Sequence, residues 1–145
     1  MSILPSRHTQ TRIVIPAPLS EVWAALADLD AYPRWNPLIR LAPWGRAGLR
    51  EGGRAWLTLK LTKIPTVVPV VVEVASGEEL RWIGGPPGLF RGRHYFRLRE
   101  VEGGTELIHG EDFEGLLLPL MWPVMAGQLD RLYQRVNDSL ATHLG

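Results

Sequence analysis

The chain contains no cysteine. That removes disulfide frameworks, cysteine-ligated zinc and thiol nucleophiles, and it favours a reducing compartment only mildly. An excess of one charge is also lacking: sixteen Lys and Arg stand against fifteen Asp and Glu, a formal net charge of +1. No block of like charges forms a tail or a phosphate-binding patch, so no nucleic-acid partner is expected. Long apolar runs are missing too. The longest nearly uncharged stretch, Gly115 to Leu129, is broken by Pro119, Pro123 and Gln128, whereas a bilayer span needs about 20 apolar residues. The opening "MSILPSRHTQTR" has no basic segment followed by an apolar one, so no signal peptide is expected and the default location is cytoplasmic. Neither "GRAGLREGG" nor "GGPPG" leads into a helix with Lys-Ser/Thr, which excludes a phosphate cradle. No His pair has helical ligand spacing, so no metal site is expected from His94, His109 and Glu111, and no cofactor is implied.

What is present, at 145 residues, suits one domain over 1–145. Residues 7–16 alternate polar and apolar up to Pro16, as a strand does. In "SEVWAALADL" Val22, Leu26 and Leu29 fall at helical spacing, with Ser20 as the expected N-cap. Pro33 is expected to turn Tyr32 away from the helical region and end the helix near Leu29 or Asp30. Strand patterns follow at 54–62, at 67–75 with an irregularity or edge at Pro69, and at 79–84. Residues 92–114 read as one hairpin turning at Gly103-Gly104. From about Pro119 to Leu144 the period becomes helical, with Met121, Met125, Leu129, Leu132, Val136 and Leu140 on one stripe. Strand, broken helix, roughly six antiparallel strands and a long helix make an α+β arrangement. A sheet of that many strands curls, and a straight helix laid over it leaves space at its flanks.

The stretch "IVIPAPLSEVWAALADLDAYPRWNPLI", the central "ELRWIGG…PGLFRGRHYFRLREVEGGTELIHGEDFEGLLLPL" and the terminal "VNDSLATHL" together resemble the SRPBCC superfamily, the START-like or Bet v 1-like helix-grip proteins, and especially its polyketide cyclase/dehydrase branch. The resemblance covers nearly the whole chain. It implies a curved antiparallel sheet of about seven strands wrapped around the C-terminal helix, two short helices after the first strand, and an internal apolar cavity. Relatives bind lipids, sterols, polyketides, hormones or quinones, and some cyclise or dehydrate polyketides. Fold does not choose among these, so the side chains must.

If His94, Phe96 and Leu98 face inward on one arm of the hairpin, Tyr95, Arg97 and Arg99 face solvent. On the other arm Leu107, His109, Glu111 and Phe113 share a face, which brings His94 near Glu111 or Phe113 and His109 near Phe96 or Leu98. Two readings stay open. His94, His109 and Glu111 act as a catalytic acid–base group, or Glu111 makes a structural contact with His94 or Arg93. Tyr32, Trp35, Trp82, Phe96, Phe113, Met121, Met125 and Leu129 are the expected ligand-binding walls of a pocket of about 300–1,000 Å³. Three functions compete: binding of a hydrophobic or amphipathic small molecule, a cyclase or dehydratase using the same polar groups, and an interaction module presenting Trp44 and Trp56 to a partner such as a second copy in a homodimer.

Overall fold

Strand β1 (Ser6–Ile15) ends at Pro16, and the chain turns at once into helix α1 (Leu19–Ala27). This computed structural model describes residues 3–145, so the first two positions of the domain expected over 1–145 lie outside the described residues. The cap of α1 differs from expectation. Pro18 occupies the N-cap, its carbonyl accepting from Glu21 and Val22, and Ser20 already lies inside the helix.

The helix break also differs in place and cause. Asp28, at φ −85° and ψ 80°, leaves the helical region. A single 3-10 turn (Leu29–Ala31) and a second short helix α2 (Tyr32–Trp35) follow. Tyr32 is itself helical, at φ −52° and ψ −41°. Pro33 is tolerated beside it because in the first turn its missing N–H has no partner to lose. The Tyr32 hydroxyl donates to the Leu26 carbonyl at 2.6 Å, pinning the second helix under the first.

Strands β2 (Ile39–Pro43), β3 (Arg54–Leu59), β4 (Thr66–Ala75), β5 (Glu79–Gly84), β6 (Arg91–Val101) and β7 (Gly104–Glu114) follow as successive antiparallel neighbours. The sheet order is β1-β7-β6-β5-β4-β3-β2. Strands β1 and β2 are therefore opposite edges, and the broken helix carries the chain from one to the other. Strand β3 stops three residues before the expected 62, because Thr62 Oγ1 bonds to both the N–H and the carbonyl of Ile64 and holds the chain in a bend. Pro69 sits one residue before β5 begins to pair at Val70, so its missing N–H removes no bond to β5, while the register shift falls at Glu73.

Helix α3 (Leu118–Leu144) runs most closely along β1 and β7, to one side of the sheet rather than down its middle. Thr9 on β1 donates to Asp130 on α3, which ties the two together. The apolar core joins Ile15, Val22, Leu26, Leu80, Leu107, Val136 and Leu140, all almost fully buried. Among the described residues no helix is long and apolar enough to cross a membrane.

Candidate functional site

The register of β6 against β7 places His94 opposite Glu111 and Phe96 opposite His109. Period-two alternation points all four at the concave face. Of the residues expected outside on β6, Tyr95 does face the convex side but is buried. Arg97 covers its ring at 4.0 Å, and the hydroxyl sits where a side chain on Gly110 would reach.

Glu111 accepts from the Tyr133 hydroxyl and lies 3.1 Å from His94 Nδ1. His94 Nε2 is 2.7 Å from His109 Nε2, and His109 Nδ1 is 2.8 Å from Asn137 Oδ1. The amide of Asn137 donates to Thr11 Oγ1 at 2.8 Å, and Thr11 donates to the backbone carbonyl of His109 at 2.8 Å.

The proton positions follow from the far end of this chain of bonds. A carbonyl oxygen only accepts, so Thr11 gives its proton there and must accept from Asn137. Asn137 then turns its oxygen to His109, whose Nδ1 must carry hydrogen. Burial, with His94 adding to it, holds the His109 pKa well below the usual imidazole value, so this ring is neutral and its Nε2 accepts. His94 Nε2 must therefore donate, and a single proton remains to be shared between His94 Nδ1 and Glu111 Oε1. Tyr133 keeps its own proton, because burial and then the Glu111 carboxylate raise its pKa well above the usual value. Two imidazole nitrogens at 2.7 Å leave no room for an ion between them, since metal–nitrogen bonds run about 2.0–2.1 Å each.

Aromatic rings enclose the relay. Trp82 stacks on His94 at 4.7 Å with planes 1° apart, and Phe96 stacks on His109 at 4.2 Å from one side, with Tyr133 at 4.4 Å from the other. Glu111 is the member that reaches solvent, with a side chain 16% exposed against 4% for His94. Its second carboxylate oxygen occupies the space beside Gly92, where an added Cβ would come within 2.1 Å. Beyond it Phe113 meets Phe90 and Trp122, each at 5.7 Å.

Of the expected site residues, the fold brings His94, His109, Glu111, Trp82 and Phe96 into one cluster. Phe113 and Leu129 are buried near its open end, and Met125 packs half-buried against the core there. Met121 is half-buried in the first turns of α3. Tyr32 and Trp35 lie elsewhere, their rings 5.0 Å apart, and Trp35 stacks on His143 in the last turn of α3. They wedge α1 and α2 against the end of the long helix.

The space expected for a ligand is occupied by Trp82, Phe96, Tyr133 and the two imidazoles. Depressions of about 320, 420 and 500 Å³ open instead on the outer face of β5–β7, the outer face of β4–β5, and the groove between β1 and α3. Sequence reasoning missed Thr11, Gly92, Tyr133 and Asn137. The signal for two of them was present: Met121, Met125, Leu129, Tyr133 and Asn137 continue one stripe in steps of four, so a tyrosine and an asparagine fall on a buried helix face.

Over residues 6–145 the sequence matches the family model described as polyketide cyclase / dehydrase and lipid transport. No curated protein matches the chain. Among solved structures, a hypothetical protein of Helicobacter pylori superposes with a TM-score of 0.75 at 12% identity, covering 97% of this chain and 88% of the other. The ZhuI aromatase/cyclase of a Streptomyces species gives 0.72 at 12% identity over 97% and 94%. Norcoclaurine synthase of Thalictrum flavum, solved with dopamine and hydroxybenzaldehyde, gives 0.71 at 10% identity over 97% and 87%. At such identities the likeness is one of fold.

Proposed function

This chain belongs to the polyketide cyclase/dehydrase and lipid transport family, and from that premise we propose that it binds a hydrophobic or amphipathic small molecule at the Glu111 end of its interior. The observation that carries this reading is the position of Glu111. It is the solvent-reaching end of an otherwise buried polar relay, and the rings next to it are Phe113, Phe90 and Trp122. An aromatic body with one hydroxyl would lay its ring against Phe113 and Trp122 and give its proton to the carboxylate. Entry displaces half-buried Trp122 and Met125, the latter a flexible thioether that adapts to an irregular guest. Two structures of the same fold carry names pointing to aromatic chemistry, an aromatase/cyclase and a synthase in complex with dopamine and hydroxybenzaldehyde.

Native mass spectrometry of the purified protein is expected to show a co-purified small molecule, and 2-naphthol is expected to raise the melting temperature saturably. At a hundred times its Kd the ligand stabilises by about 2.7 kcal/mol. Gly92→Ala pushes the Glu111 carboxylate aside and is expected to weaken 2-naphthol about tenfold or more, the loss of a charge-assisted hydrogen bond. No co-purified species together with no saturable shift would reject the proposal.

A second reading, acid–base catalysis of a polyketide cyclisation or dehydration, is favoured by the single proton shared between His94 and Glu111. Here Glu111→Gln and His94→Ala are each expected to lower turnover by about 10²–10⁴-fold. Bound ligand should survive in His94→Ala, which leaves the Glu111 anchor in place, and equal loss of binding and turnover in that variant would count against this reading.

A further inference from the structure

The polar relay leaves unexplained a concentration of exposed apolar side chains at one end of the molecule. Strand register puts the start of β1, the end of β7, the start of β6 and the end of β5 together there, through Ser6 with Glu114, Arg91 with Glu114, and Gly84 with Gly92. The β3–β4 turn belongs to the same end, since β4 starts four residues before its Val70–Gly84 pair. Backbone bonds from Leu116 to Gly88 at 2.9 Å and from Leu117 to Leu89 at 3.0 Å join the β5–β6 loop to the entrance of α3.

On that joined surface Leu120 is 79% and Val124 74% exposed, with Leu116 and Leu89 beside them in sequence and in the loop pairing. The first turns of α3 are thus apolar on both faces, Leu118 and Leu129 turned to the core and Leu120 and Val124 to solvent. A helix apolar all round is normally covered. In the β3–β4 turn Ile64 is 79% exposed and follows the exposed Lys60 and Lys63.

Charge decides what covers this end. Residues 84–90 and 115–129 carry no charge, and the β3–β4 turn carries only the two lysines. At this end of β7 Asp112 and Glu114 stand opposite Arg93 and Arg91 on β6, and Glu111 is turned inward to the relay. Protein interfaces are poor in lysine and rich in aromatic residues and arginine. Exposed Leu120 and Val124 on α3, with Ile64 next to two lysines on the β3–β4 turn at the same end, match an anionic bilayer surface, where apolar side chains enter the acyl boundary and lysines meet phosphates. We propose that this end docks on an anionic lipid bilayer through Leu120, Val124 and Ile64, with Lys60 and Lys63 paired to lipid phosphates. The docking is independent of whether the interior takes a ligand.

Co-sedimentation with vesicles of mixed phosphatidylcholine and phosphatidylglycerol tests it, with pure phosphatidylcholine vesicles and size-exclusion chromatography alongside. The wild-type protein is expected to sediment with the anionic vesicles, less so as salt rises. The double variant Leu120→Asp/Val124→Asp and the double variant Lys60→Glu/Lys63→Glu are each expected to cut the bound fraction about tenfold or more. All four positions are exposed, so both variants should keep the wild-type melting temperature, and unfolding of one leaves the other to decide. Absence of binding to anionic vesicles, or equal binding to the uncharged ones, overturns the assignment. So does a wild-type dimer that Leu120→Asp/Val124→Asp converts to a monomer without any vesicle binding, an outcome that would make the patch a contact between copies.

Discussion

Trp82→Ala is expected to lower the stability of the protein by about 3–5 kcal/mol, the cost of emptying a large aromatic site that cannot collapse. The site cannot collapse because the sheet itself forms one wall. Trp82 comes off β5 almost fully buried, lies flat on His94 and touches Phe96 at 6.0 Å. Its loss strips the apolar cover from the imidazole and admits water to a relay whose proton positions depend on exclusion of solvent. Domains of this size are stable by about 5–15 kcal/mol, so the loss takes between about a fifth and all of the folding free energy. The measurement is the urea midpoint at unchanged slope, with Trp82→Phe as the milder companion. A loss below about 1 kcal/mol would show that the ring is not a structural wall.

Acid is expected to destabilise the protein in a window set by His109. Its folded pKa is depressed, by burial first and by His94 second, while the unfolded chain protonates near the ordinary value of 6.5. Above that value neither state binds the proton, and the stability contributed by the neutral ring is fully present. As pH falls through 6.5 toward the folded pKa, only the unfolded state takes up a proton, and stability is lost by at most about 1.4 kcal/mol per pH unit for one such group. Glu73 acts lower down. Hydrogen bonding and charge from Arg93 hold its pKa below 4.5, so its contribution is present above that value and lost beneath it. Urea midpoints at several values between pH 7.5 and 5 separate the two. Nitrogen NMR should find the His109 ring neutral with hydrogen on Nδ1 throughout that range, and a charged His109 at pH 6 would break the proton assignment described above.

The strand pattern and the hairpin were legible because alternation and a Gly-Gly turn are local. Once residues 103 and 104 turn the chain, His94 falls near Glu111 or Phe113 and His109 near Phe96 or Leu98, and the observed partners are Glu111 and Phe96. The relay was only half legible. Thr11 is 98 residues from His109 and 126 from Asn137, and nothing local says which strand face a helix side chain will meet. Gly92 was invisible for a different reason: its role is the space it leaves for a carboxylate 19 positions away, which no periodicity records.

The helix break shows the same division. Two prolines in "AYPRWNP" marked a change of direction, but the end of α1 fell at Asp28 and Tyr32 remained helical, because a buried hydrogen bond from its hydroxyl to Leu26 outweighs a local preference before proline. By itself the sequence determined the α+β class and the order of the elements, since each follows from residue spacing along one segment, and its motifs carried the resemblance to the family; which face of β6 and β7 points inward stayed open. Only tertiary structure decided that the space between sheet and helix is closed by stacked rings, that one proton is shared at Glu111, and that the apolar turns gather at one end. Those depend on how segments far apart in the chain come to lie within a few ångströms of each other.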